Sequence, residues 1–252
     1  MQNWLCSGNM SKPILIKPTT HVLVLTGAGV SAESGINTFR GAAGMWENEP
    51  LEAVASPQGF ADDALRVWRF YSERRASASP CHPNAGHSAL VALEAELGER
   101  FLLVTQNVDG LHRKAGNQRM IELHGNLFTS RCNSCQRAPF EDTDVYRDVL
   151  PRCYECNGLL RPHIVWFGEA LDPAHLNAVT DFMERASKND FIFLAVGTSG
   201  SVWPAAGFVG LARQMGARTV LVNADPAENR GSFDDFVQGK AGKILPTLFS
   251  DP

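Results

Sequence analysis

Residues 101–125 read FLLVTQNVDGLHRKAGNQRMIELHG, and this stretch decides the fold. Phe101–Val104 is a short continuous apolar run, as expected of a strand buried on both faces. The chain then turns polar through Gln106, Asn107, Asp109 and His112, and a second apolar run, Met120–Leu123, ends at His124-Gly125. Amides, a carboxylate and an imidazole at the ends of adjacent buried strands mark the edge where open α/β sheets hold their ligands. A solvated loop would carry Lys, Glu and Ser instead.

Working outward, further runs suited to buried strands lie at Val22–Leu25, Phe191–Val196 and Thr219–Val222. Helical patterns span Pro57–Ser77, Asn84–Leu97, Pro173–Ser187 and Pro204–Met215, the last stopped by Gly216. Strands alternating with helices predict an α/β fold, a parallel sheet with helices on both faces. Arg131–Leu160 breaks that rhythm and is expected to form a small inserted unit. Residues 1–12 read as a loose leader in which Met10 offers another start.

A chain of 252 residues, 44% hydrophobic and 20% charged, has room for one large domain and a small one. Its net charge of −4 argues against a nucleic-acid partner. No apolar stretch reaches bilayer-spanning length, and MQNWLCSGNM lacks the basic and apolar regions of a signal peptide, so no membrane partner is expected. Of six cysteines, four fall as Cys132-x2-Cys135 and Cys153-x2-Cys156, leaving Cys6 and Cys81 outside the pattern. Two such knuckles signal a zinc ion held by four thiolates, structural because no coordination position stays open. Ordinary buried thiols are the plainer alternative. A disulfide framework belongs to small secreted chains, so a reducing compartment, most simply the cytoplasm, is expected.

After Val22–Leu25 comes Thr26-Gly27-Ala28-Gly29-Val30-Ser31-Ala32-Glu33-Ser34-Gly35. A strand, Gly-x-Gly and a helix start bring backbone N–H groups to a pyrophosphate, although the same pattern is often only a tight turn. Ala32 takes the place of the third glycine. Glu47 and Glu49 lie near the distance expected of a ribose-binding acid, but Phe39–Trp46 does not read as a helix followed by a second strand. An ordinary dehydrogenase fingerprint is therefore disfavoured.

GAGVSAESGINTFRG (27–41), TQNVDGLH (105–112), ELHG (122–125), both cysteine pairs, VWFGE (165–169) and Gly197-Thr-Ser199 together resemble the sirtuin family. The matching blocks keep the family's order from about residue 22 to 248. The resemblance implies a Rossmann-like catalytic domain over 13–252 with a zinc-ribbon subdomain inserted at about 127–162. It implies NAD and Zn2+ as cofactors, and removal of acyl groups from protein lysines with release of nicotinamide and O-acyl-ADP-ribose. Gly27, Ala28, Gly29, Ser34, Phe39, Arg40, Trp46, Gln106, Asn107 and Val108 would then meet NAD, with Ile36 and Asp109 holding its nicotinamide amide. Gly197, Thr198, Ser199, Asn223, Ala224, Asp225 and Ala241 complete that set, though the residues after Asn223 depart from the family pattern. Asn107 would position ribose or water, and Asp109 would accept from the carboxamide. Among seven histidines, His124 ends a buried strand and fits the catalytic position, where a base of near-neutral pKa suits a ribose hydroxyl.

Tyr71 and Arg74, three apart in a predicted helix, share a face. An aromatic on the core beside a solvated arginine is the bland reading. Within the family, Tyr-x-x-Arg resembles the class III signature, and Ala55 matches the small residue that widens its pocket. The resemblance implies succinyl or malonyl groups, their carboxylate held by the guanidinium fork, with acetyl removal left open. Val165, Trp166, Phe167 and Gly168, with Gly200–Trp203, would flank an extended acyl-lysine peptide. Competing readings are mono-ADP-ribosyl transfer, against which His124 and the acyl-pocket residues count, and a zinc-ribbon binding module for nucleic acid or protein, which needs neither the NAD signature nor His124. The oligomeric state stays open, a monomer being the default.

Overall fold

The structure is a computed structural model and describes residues 13–37, 45–46, 49–200, 202–227 and 229–250. Its strands run β1 Ile14–Leu15, β2 Thr20–Thr26, β3 Met45–Trp46, β4 Glu49–Pro50, β5 Phe101–Thr105, β6 Met120–Glu122 and β7 Gly125–Cys132. They continue with β8 Phe140–Glu141, β9 Leu160–Ile164, β10 Asp190–Val196, β11 Arg218–Asn223, β12 Asp235–Gln238 and β13 Phe249–Ser250. The helices are α1 Leu51–Val54, α2 Pro57–Asp62, α3 Ala64–Ala78, α4 Ala85–Leu97, α5 Leu111–Ala115, α6 Pro173–Ala186, α7 Phe208–Gln214 and α8 Ala241–Ile244.

Every apolar run that reads as a buried strand joins one parallel sheet, of order β12-β11-β10-β2-β5-β6. Successive residues of β2 point to opposite faces and both are apolar, which explains the unbroken run. Leu23 and Leu25 pack with Phe193, Phe182 and Phe208 on the α6 and α7 side, while Val22 and Val24 pack with Leu90, Leu93 and Leu245 on the α4 side. Helices therefore cover both faces. Emptying such a site by Leu→Ala costs about 2–5 kcal/mol.

Two expected helices differ. The Pro57–Ser77 pattern is broken at Asp63, which leaves helical geometry (φ −150°, ψ 80°) and caps α3 by accepting from Arg66 N. The pattern from Pro204 opens as a 3₁₀ turn, Ala205–Gly207, a common way for a helix to begin, and becomes α-helical only at Phe208. Strand β12 escapes the sequence reading because it is short and buries only Val237 well.

The inserted unit is a three-stranded antiparallel sheet of order β8-β7-β9. A third apolar cluster, with Trp68, Tyr71, Leu127, Leu160 and Trp166, packs α3 against it. The main chain leaves β2 for β5 and β6 on one side, and reaches β10, β11 and β12 on the other. The loops after β2 and β10 therefore diverge at a topological switch point, where such sheets open a crevice. Among the described residues, no helix is long and apolar enough to cross a membrane.

Candidate active site and metal centre

At the switch point the two loops interlock glycine against glycine. Gly27 N donates to Val196 O at 3.0 Å, and Gly29 N to Gly197 O at 2.8 Å. A Cβ on Gly29 would stand 2.6 Å from Gly197 Cα, and Gly197 itself has φ +62°, so neither position admits a side chain. The expected helix start is instead a pair of 3₁₀ turns, Ala28–Val30 and Ala32–Ser34.

This crevice opens into a cavity of about 1170 Å³. Gly27, Ala28, Gly29, Ile36, Gln106, Asn107, Val108, Asp109 and His124 line it, with Gly197, Thr198, Ser199, Asn223, Ala224, Asp225 and Ala241. Ala55, Tyr71, Arg74, Val165, Trp166, Phe167 and Gly168 line the same space. Ser34 does not; its hydroxyl accepts from Asn84 Nδ2 at 2.9 Å and bolts the loop to the start of α4. Phe39 and Arg40 lie outside the described residues, as does the Trp46 side chain.

The imidazole of His124 follows β6. Its Nδ1 lies 3.0 Å from Gln106 O, so Nδ1 carries the hydrogen and Nε2 keeps the lone pair of a base. Burial pushes its pKa below the ordinary value, opposed by the Gln106 carbonyl, and the ring is neutral near pH 7. His112, from the same sequence block, stays out of the cavity. Its Nε2 meets Thr26 Oγ1 at 3.0 Å, and burial lowers its pKa to about 3.

Asn107 Nδ2 donates to Gly27 O (3.1 Å) and Ser31 Oγ (3.2 Å), and Ser31 Oγ donates to Asp109 Oδ2 (2.7 Å). Asp109 Oδ1 also accepts from Leu111 N at 2.9 Å. Burial raises the Asp109 pKa, and these two donors oppose the rise. Ser31 thus ties the glycine loop to both polar residues at the end of β5. Sequence reasoning passed over it, although a serine buried inside a glycine loop demands such partners.

At the other end, Tyr71 is fully buried, its oxygen accepting from Trp166 Nε1 at 3.0 Å. Burial pushes its pKa upward, so it remains a neutral phenol. The Arg74 guanidinium stands 5.5 Å from the Phe70 ring centre. Trp166 is a buried wall of this end, whereas Phe167 is 54% exposed. A feature missed in the sequence fixes this loop. Arg161 stacks on the Trp166 ring at 3.3 Å and donates to both oxygens of Glu169 (2.7 and 2.9 Å), which also accepts from Trp166 N. Its signal was a charge at each end of RPHIVWFGE.

The Sγ atoms of Cys132, Cys135, Cys153 and Cys156 lie within 4.8 Å of one another, with Cys132–Cys156 at 3.5 Å and Cys135–Cys153 at 3.8 Å. Thiolates about 2.3 Å from a tetrahedral zinc stand about 3.8 Å apart, so the set fits that ion. Ser134 N and Cys135 N donate to Cys132 Sγ at 3.3 Å, favouring its thiolate form. A closed shell of four sulfurs leaves the metal a structural part.

A family model described as the Sir2 family matches residues 27–204. An NAD-dependent protein deacylase 2 of Pyrobaculum aerophilum is 44% identical over 237 residues, covering 94% of this chain and 93% of that protein. A solved Sir2 homologue in complex with NAD superposes with TM-score 0.82 at 40% identity, over 92% of this chain and 88% of the other. A Sir2 protein bound to acetylated peptide does so with TM-score 0.77 at 28% identity, over 90% and 91%. The matched span runs from the first glycine loop through the cysteine quartet to the second, and the chain belongs to the Sir2 family of NAD-dependent protein deacylases.

Proposed function

We propose that this NAD-dependent deacylase prefers lysines carrying succinyl or malonyl groups, with acetyl-lysine a poorer substrate, and that it releases nicotinamide and O-acyl-ADP-ribose. One observation carries the reading: Tyr71 and Arg74 line the same cavity as His124 and the glycine loops. The family's NAD, when bound, supplies a ribose carbon that becomes open to the acyl oxygen as nicotinamide departs. The backbone of Gly27–Gly29 and Gly197–Ser199 can approach its phosphates closely because no Cβ intervenes. Asp109 accepts from the carboxamide, Asn107 orients the ribose or a water, and His124 Nε2 takes a proton from a ribose hydroxyl.

The acyl carboxylate lies against the Arg74 fork, with the Tyr71 phenol as a further contact. An acetyl group offers that charged fork no carboxylate of its own. The acyl-lysine enters on an extended segment between Val165–Glu169 and Val202–Trp203, in keeping with the related Sir2 protein that binds an acetylated peptide. Four thiolates kept for a metal favour a reducing compartment, most simply the cytoplasm.

Matched acetyl-, malonyl- and succinyl-lysine peptides, with and without NAD, test this by mass spectrometry. Arg74→Met is expected to lower kcat/KM for the acidic acyl groups about 10- to several-hundredfold while sparing most deacetylation. Equal loss of both activities would sink the assignment. Transfer of ADP-ribose to a protein side chain, in place of acyl-ADP-ribose, would favour mono-ADP-ribosyl transfer.

A further inference from the structure

Beside the cysteine quartet lies a second cavity, of about 390 Å³, that deacylation itself does not use. Arg131, Arg137, Arg161 and His163 line it, and among the described residues Glu169 is the only carboxylate in its wall. Glu169 is shared between Arg131 (3.2 Å) and Arg161 (2.7 Å), and Cys132 and Cys135 of the quartet line the same wall, so a carboxylate here is recognised by directed N–H donors and not by net charge.

Arg137 is the informative member. Its guanidinium carbon lies over two rings, 4.1 Å from the Phe140 ring centre and 3.7 Å from that of Tyr154. The carboxylate that pairs with it, Glu155, stands at 3.8 Å, beyond hydrogen-bond reach. A guanidinium packed on aromatic rings keeps its N–H edge for a ligand and loses little freedom on binding one. This packing also accounts for Tyr154, which is 77% exposed and otherwise an unexplained aromatic in water.

Glu169 lines both cavities, so this second space adjoins the loop Val165–Glu169. We propose that the cavity is a subsite for a carboxylate side chain, Asp or Glu, carried by the substrate protein a few residues from the acyl-lysine. Arg137 receives that carboxylate in two-point fashion and Arg131 adds a further donor. The inference rests on the reading that an extended substrate segment lies along Val165–Glu169. It gives the enzyme a preference among lysines that the acyl group alone does not supply.

The test is a neutral acyl-lysine peptide through which a single Asp is walked across every flanking position. One register, or two spaced by a strand's period of two, should show KM lowered about 3- to 10-fold with kcat unchanged. Arg137→Met should erase that gain, and Arg137→Glu should move it to a Lys at the same register. Zinc content and thermal melts check that the variants fold. Where they do not, Tyr154→Leu, which removes one of the two rings, should shrink the gain on its own. A flat scan in the wild-type enzyme overturns the subsite and leaves the acyl assignment standing, as does an Asp preference that survives Arg137→Glu. Turnover indifferent to N-methylation of the peptide backbone would instead overturn the strand reading, and the subsite with it.

Discussion

At the scale of single residues, the base proposed at His124 depends on surroundings that leave it neutral. Its Nδ1 is committed to Gln106 O and burial holds its pKa down, so the free base persists below the usual histidine range. The rate with saturating NAD should therefore rise with pH and level off, its lower limb set by an apparent pKa under the ordinary 6.5. A limb at or above that value would contradict the assignment of His124 as a buried neutral base. His112 shows the same physics in stability. Its folded pKa of about 3 lies below the ordinary 6.5, so below pH 6.5 the unfolded chain binds a proton that the folded one refuses. Stability is then lost as pH falls from 7 to 5, by about 2 kcal/mol from this ring. His112→Gln should flatten the pH dependence of chemical denaturation by about that amount; an unchanged slope would contradict it. His124 was legible in the sequence because it ends a buried run. Ser31 was not, because its worth lies in joining residues 76 and 78 positions away.

At the scale of elements, α3 carries two stripes. Tyr71, Arg74 and Ala78 line the cavity, while Trp68, Ser72 and Arg75 hold the inserted unit. Trp68 Nε1 donates to Leu160 O (2.8 Å) and Ser72 Oγ to Tyr146 O (3.1 Å). Arg75 donates to Leu127 O (2.6 Å), Asp144 O (2.7 Å) and Ser130 Oγ (3.0 Å), and pairs with Asp142 at 3.3 Å, both ions buried. Removing one partner of a buried pair strands the other, so Arg75→Met should cost about 3–5 kcal/mol in denaturant unfolding. A loss under about 1 kcal/mol would show that the pair does not hold the unit to the helix. The sequence showed that a helix lies here, and its spacing separated Tyr71 and Arg74 from their neighbours. It did not show which of two adjacent arginines turns inward, since that depends on carbonyl groups contributed from beyond residue 126. The break at Asp63 was readable in retrospect, Asp being a strong N-cap residue.

At the scale of the whole molecule, the parallel sheet was legible because strands buried on both faces leave unbroken apolar runs. The cysteine unit was legible because its ligand spacing is local. What the sequence withheld are the joints between parts: the interlocked glycines, the Arg161–Glu169 fork beneath the Val165–Glu169 loop, and the arginine-lined second cavity. These joints bring the glycine loops, His124 and the Tyr71–Arg74 pair around one space, and that convergence is the central claim. The most direct test is a competition in one tube between equimolar succinyl- and acetyl-lysine peptides of identical sequence, with limiting NAD. The account predicts that succinyl-lysine is consumed about tenfold faster or more, with succinyl-ADP-ribose accumulating. Faster consumption of acetyl-lysine would contradict it and return Tyr71 and Arg74 to a purely structural role.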